Sequence, residues 1–144
     1  MMAVEKLTDQ SVLADVAKND TDRYVRIAAV EKLTDQSALT DVAKTDTESN
    51  VRMAAAEKLT DQIIAQEIYA YIAKNDSNWN IRVAAVKKIT DQSVLADIAK
   101  YDNDSDVRKA TVEKLTDLNA LMATAKNDVN EHVKKNIQNE ETNF

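Results

Sequence analysis

The 144-residue chain contains no cysteine, no glycine and no proline, and it has a single histidine. Without cysteine it can form no disulfide, no thiolate nucleophile and no cysteine-ligated zinc site. Tight β-hairpins, phosphate-binding loops and nucleophile elbows rely on glycine, so these features are disfavoured as well. A chain without glycine or proline can still form helices that are joined by turns of Asn, Asp, Ser and Thr. The absences therefore favour an all-helical protein.

Long apolar runs are also missing. No run approaches the ~20 residues that a membrane-spanning helix requires, and residues 1–7 lack the basic start and apolar stretch of a signal peptide. We therefore expect no membrane partner and a cytoplasmic location. The net charge of −6 disfavours nucleic acid as a partner, because phosphate binding requires a basic face.

One eight-residue motif, Ala-Val-Glu-Lys-Leu-Thr-Asp-Gln or a variant of it, recurs along the chain. Its copies begin at Ala3, Ala29, Ala55, Ala85 and Thr111. Successive copies are 26, 26, 30 and 26 residues apart, and repeats with a short fixed period are typical of solenoids. We predict an all-α solenoid of about five two-helix repeats in a single domain, 1–144, with a C-terminal capping helix at 129–144.

The segment 20–45 shows how one repeat is read. Residues 20–22 form a polar turn with good N-cap residues, 25–33 form a helix that we name helix A, and 36–44 form helix B. The third repeat has four additional residues, 63–66, ahead of its helix B. Four residues make about one helical turn, so the insertion should lengthen helix B and nearly preserve the phase of its faces.

A cation recurs inside the apolar arc of helix A, and an aspartate precedes it by six residues. The recurring residues are Asp20 and Arg26, Asp46 and Arg52, Asp76 and Arg82, and Asp102 and Arg108. A guanidinium in an apolar setting needs a paired carboxylate, since a lone buried charge is very costly. We interpret these residues as an internal structural ladder that ties turns to helices. The alternative, a row of arginines that binds phosphates or carboxylate ligands, stays open.

Lysines recur at the ends of the B helices. They are Lys18, Lys44, Lys74, Lys100 and Lys126. A basic row of this kind could bind nucleic acid, but the negative end of a helix dipole also favours a cation there. Asp15, Asp41 and Asp97 lie three residues before their lysines and offset the charge. We therefore keep nucleic-acid binding only as an alternative.

Function is expected where exposed positions differ between the repeats. The turn before helix A varies most, and Tyr71 replaces a recurring Asp on the outer face of the third helix B. Exposed aromatic side chains are typical anchors of protein interfaces. Our candidate protein-binding residues are Tyr71, Trp79, Tyr101, Met122 and Tyr24. The alternative is that these side chains only cover their own helices.

Catalysis finds little support in the sequence. His132, in a variable turn position, has no cysteine to complete a zinc site and no partners for a triad. The carboxylates recur in every repeat, as capping residues do. We predict no enzyme activity, no catalytic residues, no bound metal and no cofactor.

The repeat pattern resembles the HEAT-like repeats of the armadillo superfamily, and its short period is closest to the phycobilisome-lyase-type and leucine-rich-variant repeats. The matching residues are Asp20, Val25, Arg26, Ala28, Ala29, Val30 and Leu33. The resemblance covers nearly the whole chain, although this chain lacks the family's usual Pro or Gly at turns. It implies a scaffold with helix B on a concave, partner-binding face, and occasional members of the superfamily are enzymes, including DNA glycosylases.

Three functions remain open from the sequence. The first is a scaffold for an unidentified protein partner; the second is a designed or consensus module without a natural ligand; the third is a nucleic-acid-binding relative. The chain starts inside a helix A, at residues 2–7, without the preceding Asp-to-Arg half of a repeat. We therefore expect either a fragment of a longer array or an N-terminal end that stacks on another copy as a homodimer.

Overall fold

A computed structural model describes the backbone of residues 9–142 and the side chains of residues 9–137. Within the described backbone the chain is all-α, with eight helices and no strand, which confirms the predicted class. The helices are α1 (Gln10–Asn19), α2 (Arg23–Lys32), α3 (Gln36–Thr45), α4 (Ser49–Glu57), α5 (Gln62–Asn75), α6 (Trp79–Val86), α7 (Gln92–Tyr101) and α8 (Ser105–Thr142). The predicted N-terminal dimer contact falls on residues 1–8, outside the described residues.

The helices form two series of neighbours. Helices α1, α3, α5 and α7 each contact the next of these four, and we name them row B. Helices α2, α4, α6 and α8 contact one another in the same way and form row A. The most extensive contacts join each row B helix to the row A helix that follows it, and a turn of three residues connects the two.

Each row B helix begins at an aspartate whose carboxylate accepts backbone N–H bonds from the first turn. These N-cap residues are Asp9, Asp35, Asp61 and Asp91. The side chain of Ser93 also bonds to the Asp91 carboxylate, and this bond, with two backbone N–H bonds, lowers the pKa of Asp91. In the described residues no backbone φ is positive, so these Asp-capped turns need no glycine.

The core repeats with the same period as the sequence. Leu13, Leu39 and Leu95 occupy equivalent positions in row B and are at most 1% exposed. In α5 the same position holds Tyr69, which is buried as its replacement of a core leucine predicts. Burial raises the pKa of Tyr69, and the nearby Glu57 charge adds to the effect. Small alanines beside these positions allow close helix approach.

The arginines of row A link consecutive repeats. The Nη1 group of Arg26 donates to the backbone carbonyl of Asp20 at 2.8 Å, while its Nε and Nη2 donate to the carboxylate of Asp46 at 2.9 and 3.1 Å. Arg82 repeats this geometry with the carbonyl of Asp76 and the carboxylate of Asp102. Asp46 holds the pKa of Arg26 above its ordinary value. Each guanidinium therefore binds its own turn and the following turn.

The four-residue insertion alters one of these arginine–aspartate pairs. Arg26 and Arg82 bind a carboxylate 20 residues later, whereas Arg52 binds Asp76, 24 residues later. Arg52 reaches that carboxylate with Nη2 alone, and the hydroxyl of Ser49 bonds to both side chains. The extra turn thus replaces a two-point ion pair by a one-point pair that a serine supports.

A second row of contacts, formed by glutamines, was not foreseen from the sequence. The side-chain carbonyl of Gln10 accepts the backbone N–H of Thr34 at 2.7 Å, and that of Gln36 accepts the N–H of Thr60 at 2.9 Å. In the third repeat Gln66, one turn after Gln62, accepts the N–H of Thr90 at 3.0 Å. The recurring Gln after each capping Asp was the available signal. The predicted lengthening of helix B is confirmed, since α5 has 14 residues and α3 has 10.

The C-terminal region differs from the prediction. Ser105–Thr142 forms one helix of 38 residues, where the repeat pattern predicts a helix A, a helix B and a separate capping helix from 129. In all four row B helices the capping Asp precedes a glutamine, whereas the corresponding Asp117 precedes Leu118. Leu118 is partly buried and packs against the core, and this contact stabilises the helix that continues through the expected turn.

The Asp76 carboxylate gives a pH-dependent prediction. Burial alone raises its pKa, but hydrogen bonds from Ser49, the Asn78 N–H and Arg52 outweigh burial and lower the pKa below the ordinary value of 3.8. Its charged form therefore stabilises the fold fully above about pH 4 and loses that effect as pH falls through the lowered pKa.

We expect Asp76→Asn to lose about 3 kcal/mol of unfolding free energy at pH 7, because Arg52 loses its buried partner. The variant should also lose less stability than wild type between pH 4 and pH 2. Urea unfolding followed by circular dichroism at several pH values measures both effects. As a matched control, Asp97→Asn removes an exposed carboxylate and should change stability by less than about 1 kcal/mol. If the unfolding free energies of wild type and Asp76→Asn fall equally between pH 4 and pH 2, the Asp76 carboxylate does not cause the acid-dependent loss of stability.

The helical phase of the insertion gives a second prediction. Deleting residues 63–66 removes one turn, brings Gln62 to the position of Gln66 and restores the 20-residue spacing between Arg52 and Asp76. We expect a folded protein that loses at most about 2 kcal/mol, mainly through lost burial. Deleting only 63–65 turns the faces of α5 by about 60° in the opposite sense, about 100° away from their phase in the four-residue deletion, and should be much more destabilising. Equal unfolding midpoints for the two deletions would count against this phase argument.

Candidate protein-binding site

The lengthened helix α5 presents an exposed stripe on row B. Ile63, Glu67 and Tyr71 are spaced four residues apart, so they lie along one side of the helix. All three are exposed, with Ile63 at 75% and Tyr71 at 60%. The opposite side of α5 packs into the core through Ala65, Ile68 and Ile72. Two large apolar side chains therefore stay in solvent on the helix that departs from the repeat.

Grooves flank this stripe on both sides. A mainly apolar groove of about 570 Å³ lies between α5 and the start of α7, where Ile63, Ala70 and Val94 contribute to its lining. On the other side, a groove of about 260 Å³ lies between α3 and α5 and is lined in part by Ala43 and Tyr71. The stripe and its two grooves form what we name the α5 surface.

The charges of the α5 surface differ from those elsewhere on row B. Lys18 pairs with Asp41 of the next helix at 3.3 Å, and Lys74 pairs with Asp97 at 3.8 Å. Because of the four inserted residues, the position that corresponds to Asp41 and Asp97 is 71, and Lys44, Glu67 and Tyr71 line the same groove. Tyrosine replaces the aspartate at that position, and the carboxylate that shares the groove with Lys44 is that of Glu67. An ammonium group therefore stands beside an exposed aromatic ring.

Tyr101 lies on the same row as Tyr71 but in a different groove. It ends α7, is 79% exposed and lines a space of about 350 Å³ together with Lys74 and Asp97. Tyr71 belongs to α5 and lines the groove towards α3, whereas Tyr101 belongs to α7 and lines a space that Lys74 of α5 also lines. A partner that crosses α5 could contact both.

The other candidates lie elsewhere. Trp79 begins α6 and Tyr24 lies in the first turn of α2, so both belong to row A. The guanidinium of Arg23 lies 5.1 Å from the centre of the Tyr24 ring, a contact that the aromatic residue makes within its own helix. Met122 lies on α8 and is 60% exposed. The five candidate residues therefore occupy three regions, and only Tyr71 and Tyr101 lie beside α5.

No cluster suited to metal binding is assembled in the part of the chain that the structure describes. Over these residues, no three His, Cys, Asp or Glu side chains lie close enough together to hold a metal ion. His132 lies on the exposed part of α8, within 3.4 Å of the Asn136 amide. From residue 9 to residue 142, no helix has both the length and the apolar character that crossing a bilayer requires.

Comparisons with protein-family models, with curated proteins and with solved structures found no match to this chain. The arguments about function therefore rest on the side chains of the α5 surface and on the repeat geometry around it.

Replacing Tyr71 by the aspartate of the neighbouring repeats tests the charge arrangement. We expect Tyr71→Asp to keep the fold and to change stability by less than about 1 kcal/mol, since an exposed pair with Lys44 contributes little. Any gain should shrink in 1 M salt, where the Debye length is about 3 Å. Urea unfolding in low and high salt measures this. A loss above about 2 kcal/mol would show instead that Tyr71 packs as a structural residue.

Proposed function

We propose that the chain is a short α-solenoid, related to HEAT-like repeats, that binds a protein partner through the α5 surface and performs no catalysis. The observation that carries the proposal is the exposed Ile63–Glu67–Tyr71 stripe on the helix that the insertion lengthened. The stripe interrupts a regular surface of paired charges, and interface anchors are enriched in large side chains of this type.

The shape and charge of the α5 surface favour a particular kind of partner. An apolar groove on each side of a helix suits a peptide segment whose apolar residues recur on one face, as in helix-in-groove recognition. Lys44 and Glu67 both line the groove beside Tyr71, so this groove carries one charge of each sign and the apolar contacts decide the fit. We therefore infer a partner helix with apolar anchors.

Nucleic acid is a weaker candidate for the same surface. Lys18 and Lys74 are already paired with aspartates of row B, and the chain has a net charge of −6. Phosphate binding draws on unpaired cations, and its affinity grows with the number of phosphates neutralised. The row B lysines therefore support folding contacts better than they support a phosphate backbone.

A comparison of matched variants tests the proposal. Wild type, Tyr71→Asp, Ile63→Glu and the control Tyr24→Asp would be used in turn to bind helical peptides selected on the wild-type protein from a displayed library. Tyr24 is as exposed as Tyr71 but lies on row A. We expect the two α5 variants to lose at least about tenfold in affinity, as hot-spot residues do, and the control to bind like wild type.

Two results would reject the proposal. One is an equal loss for Tyr24→Asp and Tyr71→Asp, which would indicate nonspecific adhesion to exposed aromatic residues. The other is retained binding by both α5 variants, which would place the contact elsewhere. Isothermal titration calorimetry measures the affinities, and far-UV circular dichroism confirms that each variant is folded.

A further inference from the structure

The C-terminal half of α8 carries the residue pattern of a further helix pair. Leu121 aligns with Leu13, Leu39 and Leu95, which are at most 1% exposed, yet Leu121 is 66% exposed. Val133 aligns with Val51 and Val107, which are both fully buried, yet Val133 is 48% exposed. Residues whose counterparts fill the core therefore stand in solvent on a straight helix.

The arginine row points to the same segment. Arg26 and Arg82 bind an aspartate 20 residues later, and the residue 20 positions after Arg108 is Asp128. Arg108 donates to the carbonyl of Asp102 at 2.6 Å, as the other arginines do to the carbonyls of their own turns. In the straight helix Asp128 lies about 30 Å further along the axis, beyond reach of its guanidinium.

The glutamine row ends in the same way. Gln10, Gln36 and Gln66 each accept the backbone N–H of a threonine 24 residues later, and the corresponding threonine for Gln92 is Thr116. Thr116 lies inside α8, and Gln92 instead donates to the side-chain carbonyl of Asn119 at 3.0 Å. The series of arginine contacts and the series of glutamine contacts thus both end where α8 continues as one helix.

We propose that α8 has a second, closed form, in which residues 117–137 fold back on α7 and the first half of α8 as a further helix pair. Closing requires breaks at Thr116–Asp117 and at Asn127–Asp128. It brings Asp128 to Arg108, gives Gln92 the N–H of Thr116, and buries Leu121 and Val133. The inference does not depend on the partner proposed for the α5 surface.

The two forms are balanced by identifiable residues. Closing gains core burial and a partly buried ion pair, which favour it. The open form keeps a continuous helix, in which Leu118 is partly buried and packs against the core at the position where the other repeats have glutamine. Lys100 would face Ala123 in the closed form, where Lys18 and Lys74 face Asp41 and Asp97. The missing carboxylate at 123 removes one pair from the closed form.

The absence of cysteine makes the two forms easy to distinguish, because spin labels can be placed at will. Cysteines introduced at Lys100 and Ala123 would lie far apart in the open form, since about 27 Å of helix axis separates residue 123 from the start of α8. In the closed form they are direct neighbours, as Lys18 and Asp41 are at 3.3 Å. We expect double electron–electron resonance to give both a long and a short distance.

Sequence changes should shift the populations in opposite directions. Leu118→Gln with Asn119→Ser restores the turn sequence of the other repeats and lets position 119 donate to Asp117, as Ser93 donates to Asp91. It should raise the ratio of short to long distances about fivefold, the size expected for one added hydrogen bond. Asp128→Ala should lower the ratio by a similar factor, since it removes the partner of Arg108. Far-UV circular dichroism controls for folding, and Asp128→Ala changes an exposed residue of the open form.

Two outcomes would overturn the inference. The first is a single long distance in both the wild-type background and the Leu118→Gln/Asn119→Ser background. The second is a short distance that disappears when labelled protein is unfolded and refolded with an excess of unlabelled protein. That result would mean that residues 117–137 pack on a second copy, as in domain swapping, and light scattering would then show a dimer.

Discussion

The structure depends on buried guanidinium groups that must be neutralised. Arg26, Arg52 and Arg82 of row A lie against the core, where an unpaired charge would cost several kcal/mol. The carboxylate partner of each comes from the following turn, while its Nη1 group binds the carbonyl of its own turn. The repeats therefore cannot slide past one another without exposing an uncompensated charge. Hydrophobic burial alone would not fix this register, because the apolar positions of one repeat resemble those of the next.

The third repeat shows what this constraint allows. The insertion adds one full turn, so Gln66 takes the place of Gln62 and Arg52 still reaches Asp76 with the help of Ser49. The arginine contacts and the glutamine contacts both continue through this repeat, and the extra turn places the side chain of Ile63 in solvent. The arginine contacts and the glutamine contacts do not involve the side chains of Ile63, Glu67 or Tyr71, so the insertion could alter the α5 surface without affecting them. A binding surface could therefore arise there without disturbing the contacts that hold the helices together.

The sequence was sufficient to predict helices α1 to α7, but it was insufficient to predict which side chains contact one another. The recurring Asp caps and the four-residue insertion predicted helix ends and the longer α5, because both depend on local backbone geometry. Periodicity could not tell which aspartate pairs with Arg26, since Asp20 and Asp46 recur with the same period. The glutamine contacts were not predicted for the same reason, since periodicity does not show which side chains contact one another. Tyr71 and Tyr101 were identifiable in the sequence as departures from the repeat. Only the arrangement of the helices in rows A and B shows that these two residues lie apart from Trp79 and Tyr24.

The last repeat is where local and long-range preferences conflict. Inside the chain, each arginine and glutamine finds its partner in the next repeat, so the turn between helices is stabilised from both sides. Gln92 and Arg108 would be satisfied by two separate turns, at Thr116–Asp117 and at Asn127–Asp128. Contacts from the preceding repeat alone must compete with the continuous helix, in which Leu118 packs against the core. The segment 117–137 is therefore the position at which this architecture can hold two conformations, while the same pattern in the preceding repeats holds one.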